Sequence, residues 1–367
     1  MKKQVIFLAL FTAFFISCKE KTNKQETTTT VDSTETQKPF FKISLAEWSL
    51  HGPIMEGEMN PMDFAQKASE MGFEGIEYVS QLYTKKLKNY PDQSTAMDSL
   101  VQALKAKSEQ YNIKNVLIMV DNEGDLASSD NNVRNEAVEN HKKWVDAAAT
   151  LGCHAVRVNL KGAKEEEDWK QASIDGLTKL ADYAAQKDIE VLVENHGGFS
   201  SNAVLLMDVM NRVDLDNCGT LPDFGNFCIE RSDEGCAKEY PRYEGIEQMM
   251  PKAMAVSAKS YAFNDAGEET MMDYTKIMQT VKDAGYTGFV GIEYEGDKLT
   301  PEENQTVADN MLEIQNLQLQ LQGVQIRLQQ SQAIYNSLES ELAVKYSKVG
   351  CTLSLQRDWI CPEKVKE

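Results

Sequence analysis

Three acidic residues each stand at or near the end of a short apolar segment that has the composition of a buried β-strand. They are Glu194, Asp223 and Glu293. An ionised carboxylate is costly to bury, so each needs a cation, a hydrogen-bond donor or a metal ion beside it. Carboxylate oxygens bind Mn2+, Mg2+ or Ca2+, and a nearby imidazole shifts the preference towards Mn2+, Co2+ or Zn2+. The three residues therefore predict either salt bridges or a divalent metal site.

Other polar and aromatic residues lie at or just after segments of the same kind. If these segments form parallel barrel strands, side chains at such positions are candidates for ligand binding and catalysis. The candidates are Trp48, His51, Glu77, Arg157, Asn159, His196, Asn226, Ser257 and Lys259, and Asp121, Asn195 and Glu295 share this position without an assigned role.

Short β-rich segments alternate with amphipathic segments along most of the chain. Strand, helix, strand, repeated eight times, predicts a parallel sheet with helices outside it, closed into an α/β (β/α)8 TIM barrel of about 250 residues. Polar groups at the carboxyl ends of the strands would then meet at one mouth. The predicted strands are Ile43–Ser49, Gly75–Val79, Asn115–Asp121, Ala155–Asn159, Glu190–Asn195, Gly219–Asp223, Ala253–Lys259 and Phe289–Tyr294. The predicted helices are Pro61–Met71, Ser99–Gln110, Val133–Leu151, Ile174–Lys187, Asn202–Val213 and Tyr274–Ala284.

The first residues predict an anchored extracytoplasmic protein. A basic start is followed by an apolar run, Val5 to Ile16, which is shorter than the roughly 20 residues of a membrane span. The run ends in Phe15-Ile16-Ser17-Cys18, which resembles a bacterial lipobox, with Cys18 as the lipidated residue. We expect a lipoprotein signal over residues 1–18, a polar flexible tether over 19–39 and the barrel over 40–303. The lipid would hold the protein at a bacterial membrane, in the periplasm or at the cell surface.

The C-terminal residues 304–367 have a different pattern. Apolar residues recur every seven positions from Val307 to Leu342, with Leu317, Val324 and Leu338 at the offset positions. This heptad pattern predicts a long helical extension, either a coiled coil that makes a homo-oligomer or a last barrel helix that continues.

The charge of the chain bears on which partners it can bind, and its cysteines bear on the compartment. The net charge is −19, from 57 acidic and 38 basic residues, and such a chain would repel nucleic acid. An oxidising compartment permits disulfides, for which Cys228 with Cys236 and Cys351 with Cys361 are possible pairs. For Cys153, which lies beside a predicted strand, a buried free thiol is as good an interpretation as a disulfide.

Six motifs together resemble the xylose isomerase-like sugar isomerases and epimerases over residues 40 to 303. Any one of the motifs is weak, but their order and spacing are specific. They are Ser44–His51, Gly75–Tyr78, Val193–Gly198, Leu221–Asn226, Val256–Lys259 and Gly291–Gly296.

The resemblance implies a ligand set for the metal. In that family Glu, Asp, His and Glu from strands five to eight hold a divalent ion, and the matching residues are Glu194, Asp223, Ser257 and Glu293. Ser257 departs from the pattern, because the family usually has histidine there and a neutral hydroxyl is a poor ligand. His196, two residues beyond Glu194, would either complete the site or bind substrate. Mn2+ is the expected ion, with Mg2+, Co2+ or Zn2+ as alternatives.

The resemblance also implies a reaction. Glu194 and Glu293 would face opposite sides of a substrate carbon, so that one removes the proton alpha to a carbonyl and the other returns it. Lys259 or Arg157 would stabilise the enediolate. We expect an isomerase or epimerase acting on an unphosphorylated sugar or keto-sugar. The alternatives are a 3-keto-glycoside lyase and a non-catalytic carbohydrate-binding lipoprotein, whereas the acidic charge disfavours the DNA endonucleases of the same superfamily.

Overall fold

The structure is a computed structural model that describes residues 41–264 and 268–296, together with the backbone of 352–353 and 359–360. Eight parallel strands form its central sheet: β1 Lys42–Ala46, β2 Gly75–Val79, β3 Lys114–Met119, β4 Ala155–Val158, β5 Glu190–Glu194, β6 Cys218–Leu221, β9 Val256–Ser260 and β10 Phe289–Tyr294. Their order in the sheet is β6-β5-β4-β3-β2-β1-β10-β9.

The sheet closes on itself between β6 and β9. Parallel bridges join Thr220 to Ala253 and Asp223 to Ser257. The backbone N–H of Ser257 donates to the carbonyl of Pro222 at 2.9 Å, and that of Phe224 donates to the carbonyl of Ser257 at 3.0 Å. The predicted (β/α)8 TIM barrel is therefore confirmed.

The helices cover the outside of the barrel, and side-chain caps define several of their starts. Asp130 accepts from the N–H groups of Asn132 and Val133, and Asn202 accepts from that of Leu205, which satisfies donors that a helix leaves free. The helices are α1 His51–Glu56, α2 Phe64–Glu70, α3 Thr84–Leu87, α4 Gln93–Gln110, α5 Asn131–Leu151, α6 Glu166–Ala185, α7 Ala203–Val213, α8 Arg242–Met249 and α9 Tyr274–Asp283.

The first strand is shorter than predicted. β1 ends at Ala46, and Glu47–Leu50 form a 3-10 helix instead of continuing the strand to Ser49. The chain turns because Glu47 is buried and accepts hydrogen bonds from the Val79 N–H at 2.9 Å and the Tyr83 hydroxyl at 2.7 Å. Burial raises the pKa of Glu47 to about 8.

An antiparallel hairpin and helix α8 follow β6, and the sequence predicted neither. The strands of the hairpin are β7 Cys228–Ser232 and β8 Gly235–Glu239. A disulfide joins Cys228 to Cys236 across the hairpin, which confirms one of the two possible pairs. Cys153 is buried, and its thiol is free rather than in a disulfide.

The predicted signal, tether and lipidated Cys18 lie outside the described residues, as do most of residues 304–367 and the Cys351–Cys361 pair. Within that C-terminal part, β11 Thr352–Leu353 pairs antiparallel with β12 Trp359–Ile360. The predicted helical extension therefore does not continue through these four residues. Where the structure describes the chain, it contains no helix long and apolar enough to cross a membrane.

Candidate active site

The three carboxylates predicted as salt-bridge or metal-binding groups are buried at or near the carboxyl ends of barrel strands. Glu194 ends β5, Asp223 follows β6, and Glu293 lies near the end of β10. Ser257 and Lys259 of β9 are also buried; because they are two residues apart on a strand they share one face, and both contact Glu293. β6 and β9 lie between β5 and β10, so Asp223 and the two β9 side chains separate Glu194 from Glu293 along the ring.

Lys259 is the central cation of this group. Its Nζ lies 2.8 Å from Glu293 Oε1, 3.2 Å from Glu295 Oε2 and 3.7 Å from Asp223 Oδ2. Burial opposes the charge, but the surrounding carboxylates outweigh it and hold the pKa of Lys259 well above its ordinary value. The lysine therefore stays an ammonium ion inside the barrel.

The Ser257 hydroxyl connects two of the carboxylates. Its oxygen lies 2.7 Å from Asp223 Oδ2 and 3.0 Å from Glu293 Oε2. The other oxygen of Asp223 accepts from the backbone N–H groups of Gly225 at 2.9 Å and Asn226 at 2.8 Å. Burial raises the pKa of Asp223 to about 7, although Lys259 acts in the opposite direction. Because a hydroxyl has one proton, Ser257 donates to one carboxylate at a time.

Arg157 pairs with Glu194 on the other side of the mouth. Arg157 Nε lies 2.8 Å from Glu194 Oε2, yet neither atom has a hydrogen-bond partner, so the two charges touch without an aligned N–H. Asn226 Nδ2 donates to Glu194 Oε1 at 2.9 Å. Burial raises the pKa of Glu194 to about 7, although Arg157 lowers it.

Asp121 orients this side of the site. Its Oδ1 accepts from Arg157 at 2.9 Å and from Asn159 Nδ2 at 2.7 Å. The adjacent Arg157 lowers the pKa of Asp121 although burial opposes this effect. Asp121 therefore fixes two residues that the sequence indicated as substrate-binding.

Trp48 and His51 form a flat wall beside the acidic group. Their rings stack with centroids 4.3 Å apart and planes 10° apart. Trp48 Nε1 donates to Glu295 Oε1 at 2.9 Å, and Glu295 also contacts Lys259. The wall is thus tied to the central cation through one carboxylate, and both rings are partly exposed.

Two other predicted residues differ in depth. The His196 side chain reaches solvent, but the surrounding protein and the cations Arg157 and Lys259 lower its pKa. Glu77 is buried inside the barrel, where Ser44 donates to its Oε1 at 2.6 Å. A Cβ at Gly291 would lie 2.5 Å from that same oxygen, so the glycine gives the carboxyl group its space.

Three further residues at the strand ends, Asp121, Asn195 and Glu295, have no role that the sequence predicts, and the structure shows their contacts. Asp121 orients Arg157, and Glu295 links Trp48 with Lys259. Asn195 holds the loop after β6, because its Oδ1 accepts from the Asp223 N–H and its Nδ2 donates to the carbonyls of Asp223 and Asn226. Their strand-end position was a signal, but their partners depend on contacts between different strands.

The residues present do not fit the divalent metal that the family pattern implies. Ser257 replaces an imidazole, Lys259 occupies the space between Glu293 and Asp223, and Arg157 contacts Glu194. A metal ion placed among these carboxylates would meet an ammonium ion a few ångströms away, and like charges repel. Over residues 41–264 and 268–296, no three His, Cys, Asp or Glu side chains are arranged to hold a metal ion.

The fold and this site define a parallel β/α barrel with a buried acidic group at its mouth. The sequence model of the xylose isomerase-like TIM barrel family matches residues 65–315. The chain therefore belongs to that family.

Solved structures share the fold at low sequence identity. The 3-keto-D-glucoside 4-epimerase YcjR from E. coli is 15% identical, with a TM-score of 0.57 over 75% of this chain and 99% of that one. A D-psicose 3-epimerase studied with D-fructose is 15% identical, with a TM-score of 0.53 over 71% and 86%. The IOLI protein with a bound zinc atom is 18% identical, with a TM-score of 0.57 over 76% and 98%. No curated protein sequence matches the chain.

Proposed function

We propose that this protein is a sugar epimerase or isomerase that moves a proton alpha to the carbonyl of an unphosphorylated keto-sugar. The observation that carries the proposal is the placement of two glutamates, Glu194 and Glu293, on either side of a buried lysine at the mouth of the barrel. Two bases and a fixed cation are the groups that such a proton transfer needs.

Each step of the proposed reaction has a residue. One glutamate takes the alpha proton, and the C–H electron pair forms the C=C bond of an enediolate while the carbonyl oxygen becomes an oxyanion. Lys259 donates a hydrogen bond to that oxygen, with Arg157 as the second cation. In an epimerisation the other glutamate returns a proton to the opposite face of the same carbon and the carbonyl re-forms. In an isomerisation the proton goes to the former carbonyl carbon, while the hydroxyl proton of the alpha carbon passes to the former carbonyl oxygen, so that the alpha carbon becomes the new carbonyl.

The remaining candidates would bind the sugar. An outer face of the Trp48–His51 stack would give a sugar ring a flat surface to pack against. Asn159, His196 and Asn226 present polar groups around the mouth, and Glu77 supports the site from inside the barrel. The epimerases among the structural neighbours act on a 3-keto-glucoside and on D-psicose, which supports a keto-sugar as the substrate class.

The expected Mn2+ ion is not part of this mechanism, because the donor set is already occupied by Lys259, Ser257 and Arg157. The zinc-bound IOLI protein has the same fold, and this likeness alone does not extend its metal to the present site.

The proposed location is outside the cytoplasm, on a lipid anchor at Cys18. The exposed Cys228–Cys236 disulfide supports an oxidising compartment. Phosphorylated sugars are largely cytoplasmic, so this location favours an unphosphorylated substrate. We propose no nucleic-acid partner, given the net charge of −19.

Two alternatives use the same barrel. A 3-keto-glycoside lyase needs the same alpha-proton abstraction, followed by loss of the glycosidic oxygen. A carbohydrate-binding lipoprotein without catalysis is favoured by Ser257, which stands where the family usually has a metal-binding histidine.

The test is proton exchange in D2O. The protein is incubated with 3-keto-glucose, 3-keto-glucosides and D-psicose, and NMR follows deuterium at the carbon alpha to the carbonyl. We expect exchange by the unaltered protein and a loss of at least about 100-fold in Glu194→Gln and Glu293→Gln. Glu70→Gln, which changes an exposed carboxylate on α2, is the matched control. Binding without exchange would establish the carbohydrate-binding alternative, and release of the glycosidic alcohol would establish the lyase.

A further inference from the structure

We infer that Lys259, together with the Ser257 hydroxyl, takes the place of the divalent cation in this barrel, so that the site works with a built-in charge and binds no metal. The catalytic half of this inference rests on the proposed function. The metal-binding half stands on the donor set alone and is tested without any sugar.

The first support is the position of the ammonium group. Lys259 Nζ is within 4 Å of Asp223 and Glu293, two of the residues that the family pattern assigns to a metal. Nine-tenths or more of the side chain is buried, so the charge is fixed where a cation shared by these carboxylates would lie. The strand ladder sets this position, because Lys259 and Glu293 are paired neighbours of β9 and β10.

The second support is the serine. An imidazole at residue 257 would offer a nitrogen lone pair to a metal, whereas the Ser257 hydroxyl donates a proton to Asp223 or Glu293. The serine proton therefore occupies a lone pair on a carboxylate oxygen of Asp223 or Glu293 that a metal ion would otherwise bind. The two groups that stand in for the metal, the Ser257 hydroxyl and the Lys259 ammonium, lie two residues apart on β9.

The third support is on the opposite side of the mouth. Glu194, the remaining metal-position carboxylate, already contacts Arg157, and Asp121 holds that arginine in place. Each of the three carboxylates thus has a protein cation within 4 Å. A metal ion would have to displace two cations that are themselves buried and paired.

The chemistry follows without a further reactant. The ammonium group stabilises the oxyanion that forms when the alpha C–H bond breaks, and the proton passes to a glutamate and back. No electron acceptor is needed, because the electron pair of the C–H bond remains in the enediolate.

The test is a titration of the purified full chain with Mn2+ and Co2+, followed by calorimetry and by the visible absorption of Co2+. Four proteins are compared: the unaltered protein, Asp223→Asn, Ser257→His, and Ser257→His combined with Lys259→Met. We expect no stoichiometric binding by the first three. The double variant, with the ammonium removed and an imidazole supplied, should bind Co2+ at least about tenfold more tightly than the unaltered protein.

Two results would overturn the inference. One is tight binding of a metal by the unaltered protein that Asp223→Asn abolishes. The other is tight binding by Ser257→His alone, since Lys259 would then not exclude the ion. Both results are available even where the double variant does not fold.

The catalytic half has a separate measurement. Proton exchange on a keto-sugar by the unaltered protein should survive exhaustive treatment with EDTA, with a rate that changes less than about twofold. Exchange that EDTA abolishes and Mn2+ restores would refute metal independence. If none of the keto-sugars exchanges, the proposed function fails, while the titration result still decides whether the site excludes metal.

Discussion

Replacing Lys259 by methionine should destabilise the barrel strongly, and by an amount that depends on pH. The substitution keeps a similar apolar stem and removes the ammonium group that lies 2.8 Å from Glu293 and 3.7 Å from Asp223. At an effective dielectric constant of about 20, the attraction at the shorter distance is about 6 kcal/mol. The desolvation of a buried lysine offsets several kcal/mol of it, and removal of one partner of a buried pair costs about 3–5 kcal/mol. We expect a loss of that size at pH 8.

The pH dependence comes from Asp223. Lys259 lowers the pKa of this carboxyl group, which burial otherwise raises, and the result is about 7. Removing the cation raises the pKa of Asp223 further above its unfolded value. A group of this kind stabilises the folded state at low pH and loses that contribution as the pH rises through its folded pKa. The destabilisation by Lys259→Met should therefore be smaller at pH 5 than at pH 8.

The assay is urea unfolding followed by fluorescence and circular dichroism at both pH values. Lys67→Met is the matched control, because Lys67 forms an exposed pair with Glu70 on α2 and its loss should cost less than about 0.5 kcal/mol. A cost below about 1 kcal/mol for Lys259→Met at pH 8, or an equal cost at both pH values, would refute the central role of the ammonium group.

Three further predictions concern other parts of the described structure. Glu47→Gln should flatten the fall in the free energy of unfolding between about pH 4.5 and pH 8. The pKa of Glu47 is about 8 in the folded protein, so its burial as a neutral acid favours folding at low pH, and this stabilisation is lost as the pH rises through about 8. Urea unfolding across that range measures the slope, and an unchanged slope contradicts the prediction. Trp48→Ala should weaken keto-sugar binding by about 1 kcal/mol, or about fivefold in Kd. Calorimetry measures the Kd, and the proton-exchange rate at saturating sugar is measured separately. A reduced exchange rate with an unchanged Kd would show that Trp48 does not contact the sugar. Replacing Cys228 and Cys236 by serine should lower the local stability of the hairpin by about 2 kcal/mol, seen as faster proteolysis between these positions, and an unchanged cleavage rate contradicts the constraint.

The barrel was predictable because its strands are apolar and separated by helical segments. All eight predicted strands overlap the observed ones with ends that agree within three residues, and Ile43–Ser49 continues past the true end of β1 at Ala46. The turn there depends on Glu47, whose partners Val79 and Tyr83 are more than 30 residues away. Contacts between distant segments of this kind have no local signal.

The hairpin was missed for a different reason. Its second strand is fully exposed and polar, so it lacks the alternation of apolar and polar residues that identifies a half-buried strand. The two cysteines were the signal, and they indicated a pair without indicating the strands that it joins.

The sequence predicted which residues form the site, but not the hydrogen bonds and ion pairs that connect them. The strand ends identified Glu194, Asp223, Glu293 and Lys259. The substitution of Ser257 for histidine raised doubt about a metal, but the hydroxyl contacts and the reach of Lys259 depend on the register between β6, β9 and β10. Register across a parallel barrel is set by packing of the whole ring, which one segment does not encode.

The closure of the ring between β6 and β9 has a consequence for how the protein can change. The backbone joins these strands by isolated bridges, at Thr220 with Ala253 and at Asp223 with Ser257, whereas the other neighbours form ladders of three to five residue pairs. The contacts of Ser257 and Lys259 with Asp223 therefore also hold β9 against the residues that follow β6, where backbone pairing is sparsest. The same side chains line the mouth of the barrel. A mutation that changes the chemistry here also weakens the barrel, so new activities would arise more readily from the 3-10 helix that carries Trp48 and the loop that carries Asn226 than from the acidic centre.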